Sequence, residues 1–265
     1  MSLAIEDLRI SIRGRTVVDG VSLALGDGDR LGLIGESGSG KSLTALAVLG
    51  LLPAGSTVTG SIRLDGRELV GLGDRELAAV RGKRAGIVFQ EPVTALNPIR
   101  RVGAQIGESL RIHYGFSKRQ ALERAVRLAE RVHLPDPEHI VQRYPHELSG
   151  GQRQRVAIAA ALATGPRLII ADEPTTALDV TIQAGILDLF DREVGESGAS
   201  LLFITHDLAV LARIVPRAVV LAAGRVVEEA TVEGLLTAPA HPVTAALAEA
   251  AYATGFTDPA FEGHR

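Results

Sequence analysis

The sequence predicts an α/β fold with a mostly parallel core sheet, an antiparallel β edge and an inserted α-helical subdomain. Three observations carry that prediction. A buried-type strand, Arg30-Leu-Gly-Leu-Ile-Gly, runs through a Gly/Ser-rich turn directly into Lys41-Ser-Leu-Thr-Ala-Leu-Ala-Val-Leu, a helical pattern stopped by Gly50. Four more short apolar runs recur along the chain, as buried parallel strands do. Between about Pro92 and Glu147 such runs vanish, and Arg, Glu, Ala and Leu dominate.

Each element follows from its residues. From Ala4 to Leu25, short β-type runs (Leu8-Arg-Ile-Ser-Ile, Val17-Val18, Val21-Ser-Leu-Ala-Leu) alternate with Gly and Asp, the pattern of an antiparallel start. The later core strands are expected at Gly86-Ile-Val-Phe, Leu168-Ile-Ile-Ala, Leu201-Leu-Phe-Ile and Val219-Val-Leu. The domain is expected to span 1–238, with a helical insert over about 91–147, and 239–265 forms a short helix and tail. The basic residues of the insert alternate with Glu123 and Glu130 and have no aromatic platform beside them, which reads as a solvated helix face.

Composition narrows the classes. The 265 residues are 46% hydrophobic and 22% charged, with net charge −3, and the isoelectric point near 6.2 argues against a general nucleic-acid binder. The chain has no cysteine, which excludes disulfides, Cys-ligated zinc and iron–sulfur clusters. The most apolar stretch, Val156 to Ala163, lies between Arg155 and Arg167 and is far shorter than the roughly 18 residues of a membrane span. The start, Met-Ser-Leu-Ala-Ile-Glu-Asp, lacks the pattern of a signal peptide, so a cytoplasmic location is expected.

The chemistry concentrates in three motifs. Gly35-Glu36-Ser37-Gly38-Ser39-Gly40-Lys41-Ser42 matches a phosphate loop in full, between a strand and a helix. Its glycines let backbone amides converge on phosphate oxygens, Lys41 brings positive charge to the β- and γ-phosphates, and the Ser42 hydroxyl can ligate Mg²⁺. Dinucleotide binding would need a different glycine spacing. Leu168-Ile-Ile-Ala-Asp172-Glu173 places two carboxylates at a strand end. Asp172 is expected to hold Mg²⁺, through water, and Glu173 to orient or deprotonate the attacking water. Leu148-Ser149-Gly150-Gly151-Gln152 opens an Ala-rich helix with free amides and the positive end of the helix dipole.

Together these motifs resemble the ATP-binding cassette (ABC) ATPases over essentially the whole chain. The resemblance implies ATP and Mg²⁺ as cofactors. It further implies a nucleotide sandwiched between two cassettes, with Gly35–Ser42 of one and Ser149–Gln152 of the other. Gln90 matches the family's glutamine loop, which senses nucleotide and metal; Ala177-Leu178-Asp179 matches the loop between the two sites, and His206 the switch histidine at the γ-phosphate. The family's adenine-stacking aromatic is replaced by Ile10-Ser-Ile-Arg13-Gly-Arg15, leaving the Arg13 guanidinium plane as the group able to stack.

The flanks select among cassette proteins. Long coiled-coil arms, zinc cysteines, a second cassette and fused membrane helices are all missing from the sequence, which leaves the separate ATPase subunit of a multi-component importer. Gln90-Glu-Pro-Val-Thr-Ala-Leu-Asn97-Pro98, Tyr144-Pro-His-Glu-Leu-Ser and Ala238-Pro-Ala-His241-Pro-Val-Thr244 are similar to the peptide/nickel importer subfamily. The short tail and Leu51-Leu-Pro-Ala-Gly are similar to its nickel-type subunits. The resemblance implies a second, different ATPase subunit, two integral-membrane permease subunits and, indirectly, an extracytoplasmic solute-binding protein. It places the chain peripherally on the cytoplasmic face of the membrane, with no nucleic-acid partner. A non-transport nucleotide switch acting on nucleic acid is the competing reading, and the mixed-charge surface argues against it.

Overall fold

The computed structural model describes residues 2–90, 95–176 and 179–253. Strands β1 (Leu3–Ile12) and β2 (Arg15–Leu25) form a hairpin. Its turn residues Arg13 and Gly14 have φ of 50° and 80°, the left-handed pair that matches the twist of the flanking strands. The runs Val17-Val18 and Val21–Leu25, separate in the sequence pattern, belong to one strand. Asp19 pairs with Arg9 of β1, and Gly20, at φ 76°, is the extra residue of a register shift between Leu8 and Arg9. A register shift between Ile5 and Leu8, with Asp7 at φ 46°, works as a bulge that returns Leu8 and Ile10 to the buried face.

β3 (Arg30–Ile34) leads to α1 (Lys41–Leu49). Gly50 caps α1 in the left-handed conformation, its amide bonded to carbonyls of the last turn. Then follow β4 (Ser56–Leu64), β5 (Arg67–Glu68), α2 (Asp74–Ala78) and β6 (Ala85–Val88). A run of short helices comes next: α3 (Val102–Ile106), α4 (Glu108–Tyr114), α5 (Lys118–Arg131) and α6 (Pro137–Ile140). α5 starts at a reciprocal Ser117–Gln120 capping box. α7 (Gly150–Leu162), β7 (Leu168–Asp172), α8 (Val180–Ser197), β8 (Ser200–Thr205) and α9 (Leu208–Ile214) continue the chain. It closes with β9 (Arg217–Ala222), β10 (Arg225–Thr231), α10 (Val232–Thr237) and α11 (Pro242–Ala253).

Two compact units result, Met1–Leu77 with Ser200–Arg265, and Ala78–Ala199. The first contains an antiparallel sheet in the order β2-β1-β4-β5. It also contains the parallel set β9-β3-β8, with β10 antiparallel on β9. Leu31, Leu33, Ile34, Leu201–Ile204 and Val219–Leu221 are all buried, as expected of strands covered on both faces. A Cβ on Gly32 would stand 2.8 Å from a Leu211 methyl, so the glycine is what lets α9 lie close on β3.

In the second unit β6 and β7 pair in parallel, Ala85 with Leu168 through Val88 with Ala171. Gly86 admits α7, since a Cβ there would sit 2.4 Å from the Ala161 carbonyl oxygen. Glu193 of α8 is only 3% exposed, and its carboxylate is paired with Arg131 of α5 at 2.6 Å and Arg192 at 3.2 Å. A buried charge without such partners would be strongly destabilising.

Candidate functional site

The first unit supplies the phosphate loop, at the C-terminal end of β3 where an open parallel sheet receives ligands. Gly35, Gly38 and Gly40 have φ of 156°, 80° and 101°, a backbone path closed to most side chains. Gly40 is the N-cap of α1 and no side chain caps that end. The helix therefore presents uncapped amides and its positive pole. Lys41 is 4% exposed, and its Nζ donates to the carbonyls of Gly35 at 2.7 Å and Glu36 at 2.9 Å. A buried ammonium held by neutral carbonyls of its own loop gains when phosphate oxygens arrive. Ser39 Oγ is buried and has no hydrogen-bond partner among the described residues. Cation, amides and left-handed glycines fit a polyphosphate. His206, exposed directly after β8, and Arg13, exposed at the β1–β2 turn with its amide bonded to Gly55, belong to the same unit.

The second unit supplies the acids. Asp172 ends β7 at 5% exposure. Glu173 follows at φ 46°, a left-handed geometry that costs a non-glycine residue roughly 1 kcal/mol or more. Its Oε2 accepts from Gln90 Nε2 at 3.1 Å and from the Thr176 hydroxyl at 3.0 Å. Gln90 and Glu173, 83 residues apart, are thus brought together, and two donors on one oxygen fix the plane of the carboxylate. Among the described residues no cluster of three His, Cys, Asp or Glu could hold a metal by itself. Asp172 and Gln90 bring a carboxylate and an amide oxygen, hard donors that together with phosphate oxygens and water suit reluctantly dehydrated Mg²⁺.

Ser149 caps α7 through a capping box in which its hydroxyl accepts from the Gln152 amide at 3.3 Å and Gln152 Oε1 accepts from the Ser149 amide at 3.0 Å. Gly151 is crowded: a Cβ there would lie 2.9 Å from Ile182 Cγ2 of α8. Asp179 is exposed and caps α8, accepting from the Ile182 amide at 2.9 Å. Ala177 and Leu178 of its loop, Glu91–Thr94 after Gln90, and the tail beyond Ala253 lie outside the described residues. Thr176 is the functional neighbour that motif reading passed over. Its only sequence signal is a hydroxyl three residues after the second acid.

A family model described as ABC transporter matches residues 18–176. The chain is 48% identical over 256 residues to a putative peptide import ATP-binding protein of Brucella abortus, covering 92% of this chain and 76% of that protein. It is 48% identical over 248 residues to the oligopeptide transport ATP-binding protein OppD of Bacillus subtilis, covering 91% and 69%. Among solved structures it is similar to the ATP-binding cassette MJ0796, a dimeric post-hydrolysis state bound to ADP and Pi. That match has a TM-score of 0.77 and 29% identity and covers 87% of this chain and 98% of the other. A second is cbiO1 of Clostridium perfringens, part of the ABC transporter complex cbiONQ, with a TM-score of 0.73 at 26% identity over 88% and 89% of the two chains.

Proposed function

We propose, since this chain belongs to the ABC transporter family and is an ATPase that works with Mg²⁺, that it is the ATP-hydrolysing subunit of a peptide importer. The observation that carries the substrate class is the 48% identity, over most of the chain, to proteins named for peptide import. That identity favours peptide over the nickel type that Leu51-Leu-Pro-Ala-Gly resembles.

In the proposed mechanism Lys41 and the amides of Gly38 to Ser42 bind the β- and γ-phosphates. Ser42, Asp172 and Gln90 would hold Mg²⁺, which when bound neutralises phosphate charge and orients the transferred group. Glu173 takes a proton from the attacking water, its carboxylate oriented by Gln90 and Thr176. His206 contacts the γ-phosphate. Arg13 offers its guanidinium plane to adenine. Ser149–Gln152, together with Asp179, meets the nucleotide held by a second cassette, and the dimeric state of MJ0796 supports that arrangement. Phosphate release then loosens the pair and moves the attached permease.

No helix among the described residues is long and apolar enough to cross a membrane. Two permease subunits are proposed to hold the chain at the cytoplasmic face, with a second, different ATPase subunit beside it and an extracytoplasmic receptor delivering the solute. The test is ATPase activity of the reconstituted transporter with its receptor. Stimulation by peptide-loaded receptor is expected; stimulation by nickel-loaded receptor alone would overturn the peptide assignment.

A further inference from the structure

We propose that Gly224, at the tip of the β9–β10 hairpin, is a positioning residue that aims the phosphate loop at its nucleotide. The inference rests on the reading of Gly35–Ser42 as the nucleotide loop and adds a residue outside every motif of the sequence. Ala223 and Gly224 have φ of 48° and 80°, the pair of left-handed residues a two-residue hairpin turn needs. The Gly224 amide donates to the Ser39 carbonyl at 3.1 Å, and the Gly224 carbonyl accepts from the Asp19 amide at 2.8 Å. One residue thereby ties the loop to β2 by backbone bonds on both sides.

The direction of the first bond matters. A trans peptide plane points its C=O and N–H in opposite directions, and the described chain has no cis bonds. Anchoring the Ser39 carbonyl on Gly224 therefore turns the Gly40 N–H away from the hairpin. The Ser39–Gly40 plane can no longer rotate to withdraw that donor from an anion seated in the loop.

The contact also leaves no room for adjustment. A Cβ on Gly224 would lie 2.5 Å from the Val17 carbonyl oxygen and 3.2 Å from Val18 Cα. On the loop side, a Cβ on Gly40 would meet Val18 Cγ2 at 3.0 Å and the Val17 oxygen at 3.2 Å. Asp19 holds the flank of the tip, its Oδ2 accepting from Arg225 Nε at 3.0 Å and its Oδ1 from Arg9. Any side chain at 224 must push the hairpin tip away from β2 at Val17 and Val18, and the bond that the tip makes to Ser39, with the loop's amides, shifts with it.

Titration calorimetry of the full chain with ATP in the presence of EDTA tests this, because affinity and stoichiometry are read separately. Gly224→Ala is expected to raise the dissociation constant about tenfold, the loss of one well-aimed bond to an anion, with stoichiometry retained. A purely structural role would lower the stoichiometry and leave the constant unchanged, and that result overturns the proposal. Should Gly224→Ala not yield folded protein, Asp19→Ala decides, since it loosens the flank and keeps both backbone bonds. A rise of about twofold or more supports the inference, and an unchanged constant refutes it. Failure of the unaltered chain to bind ATP would instead remove the underlying nucleotide-site reading.

Discussion

At the scale of single residues, charge placement dominates the chemistry. Replacing Glu173 by Gln keeps the shape and the Thr176 contact but removes the proton acceptor. ATP should still bind while turnover falls about 100-fold or more in a phosphate-release assay, and unchanged turnover would take Glu173 out of its assigned role. Thr176→Ala removes a donor that holds the carboxylate. It should lower kcat several-fold without altering ATP affinity, a split that separates orientation from binding. Lys41→Ala should weaken ATP binding at least about tenfold, because a charge-assisted contact to phosphate is lost. Of these residues, Lys41 and Glu173 are legible in the sequence because each belongs to a contiguous pattern whose chemistry is local. Thr176 is not, because its relevance arises only when the left-handed turn at Glu173 folds the carboxylate back onto its hydroxyl.

Between elements, close approach and buried polarity decide stability. Gly151 lets α7 pass α8, and Gly151→Ala should destabilise the protein by about 1–3 kcal/mol through overpacking against Ile182. Combining it with Ile182→Ala should recover part of that loss, and a double-mutant cycle of thermal or urea unfolding would show non-additivity if the contact is the cause. The β4–β5 hairpin depends on Glu68. Its partial burial raises the carboxyl pKa, but bonds from the Ser61 hydroxyl and the amides of Ile62, Val70 and Leu69 outweigh that and hold it below the ordinary glutamate range. A depressed folded pKa stabilises above the unfolded value, near pH 4.3, and that contribution fades as pH falls through the folded value. Glu68→Gln should therefore lower the melting temperature at pH 7 and narrow its difference from the unaltered chain near pH 3.5. Equal differences at both pH values would refute the assignment.

For the whole molecule, the proposed mechanism requires association. With ATP and Mg²⁺, the Glu173→Gln chain should form a stable dimer with the proposed ATPase partner, visible by light scattering, and Lys41→Ala should not. The sequence by itself determined the family, the phosphate loop, the acid pair at the end of β7 and the helix-opening Ser149-Gly-Gly-Gln turn. These are short contiguous segments whose spacing already dictates local backbone and chemistry. It also marked the stop of α1 at Gly50, since glycine is the residue that tolerates a left-handed cap. Only the tertiary structure decided that Gln90 bonds Glu173, that Thr176 shares the same oxygen, and that the tip of a hairpin nearly two hundred residues downstream of the loop grips Ser39. The Thr176 hydroxyl and the backbone groups of Ser39 and Gly224 carry no pattern of their own, and no spacing along the chain pairs Gln90 with Glu173. Their meaning comes from strand register and from the few tenths of an ångström at which two backbones meet.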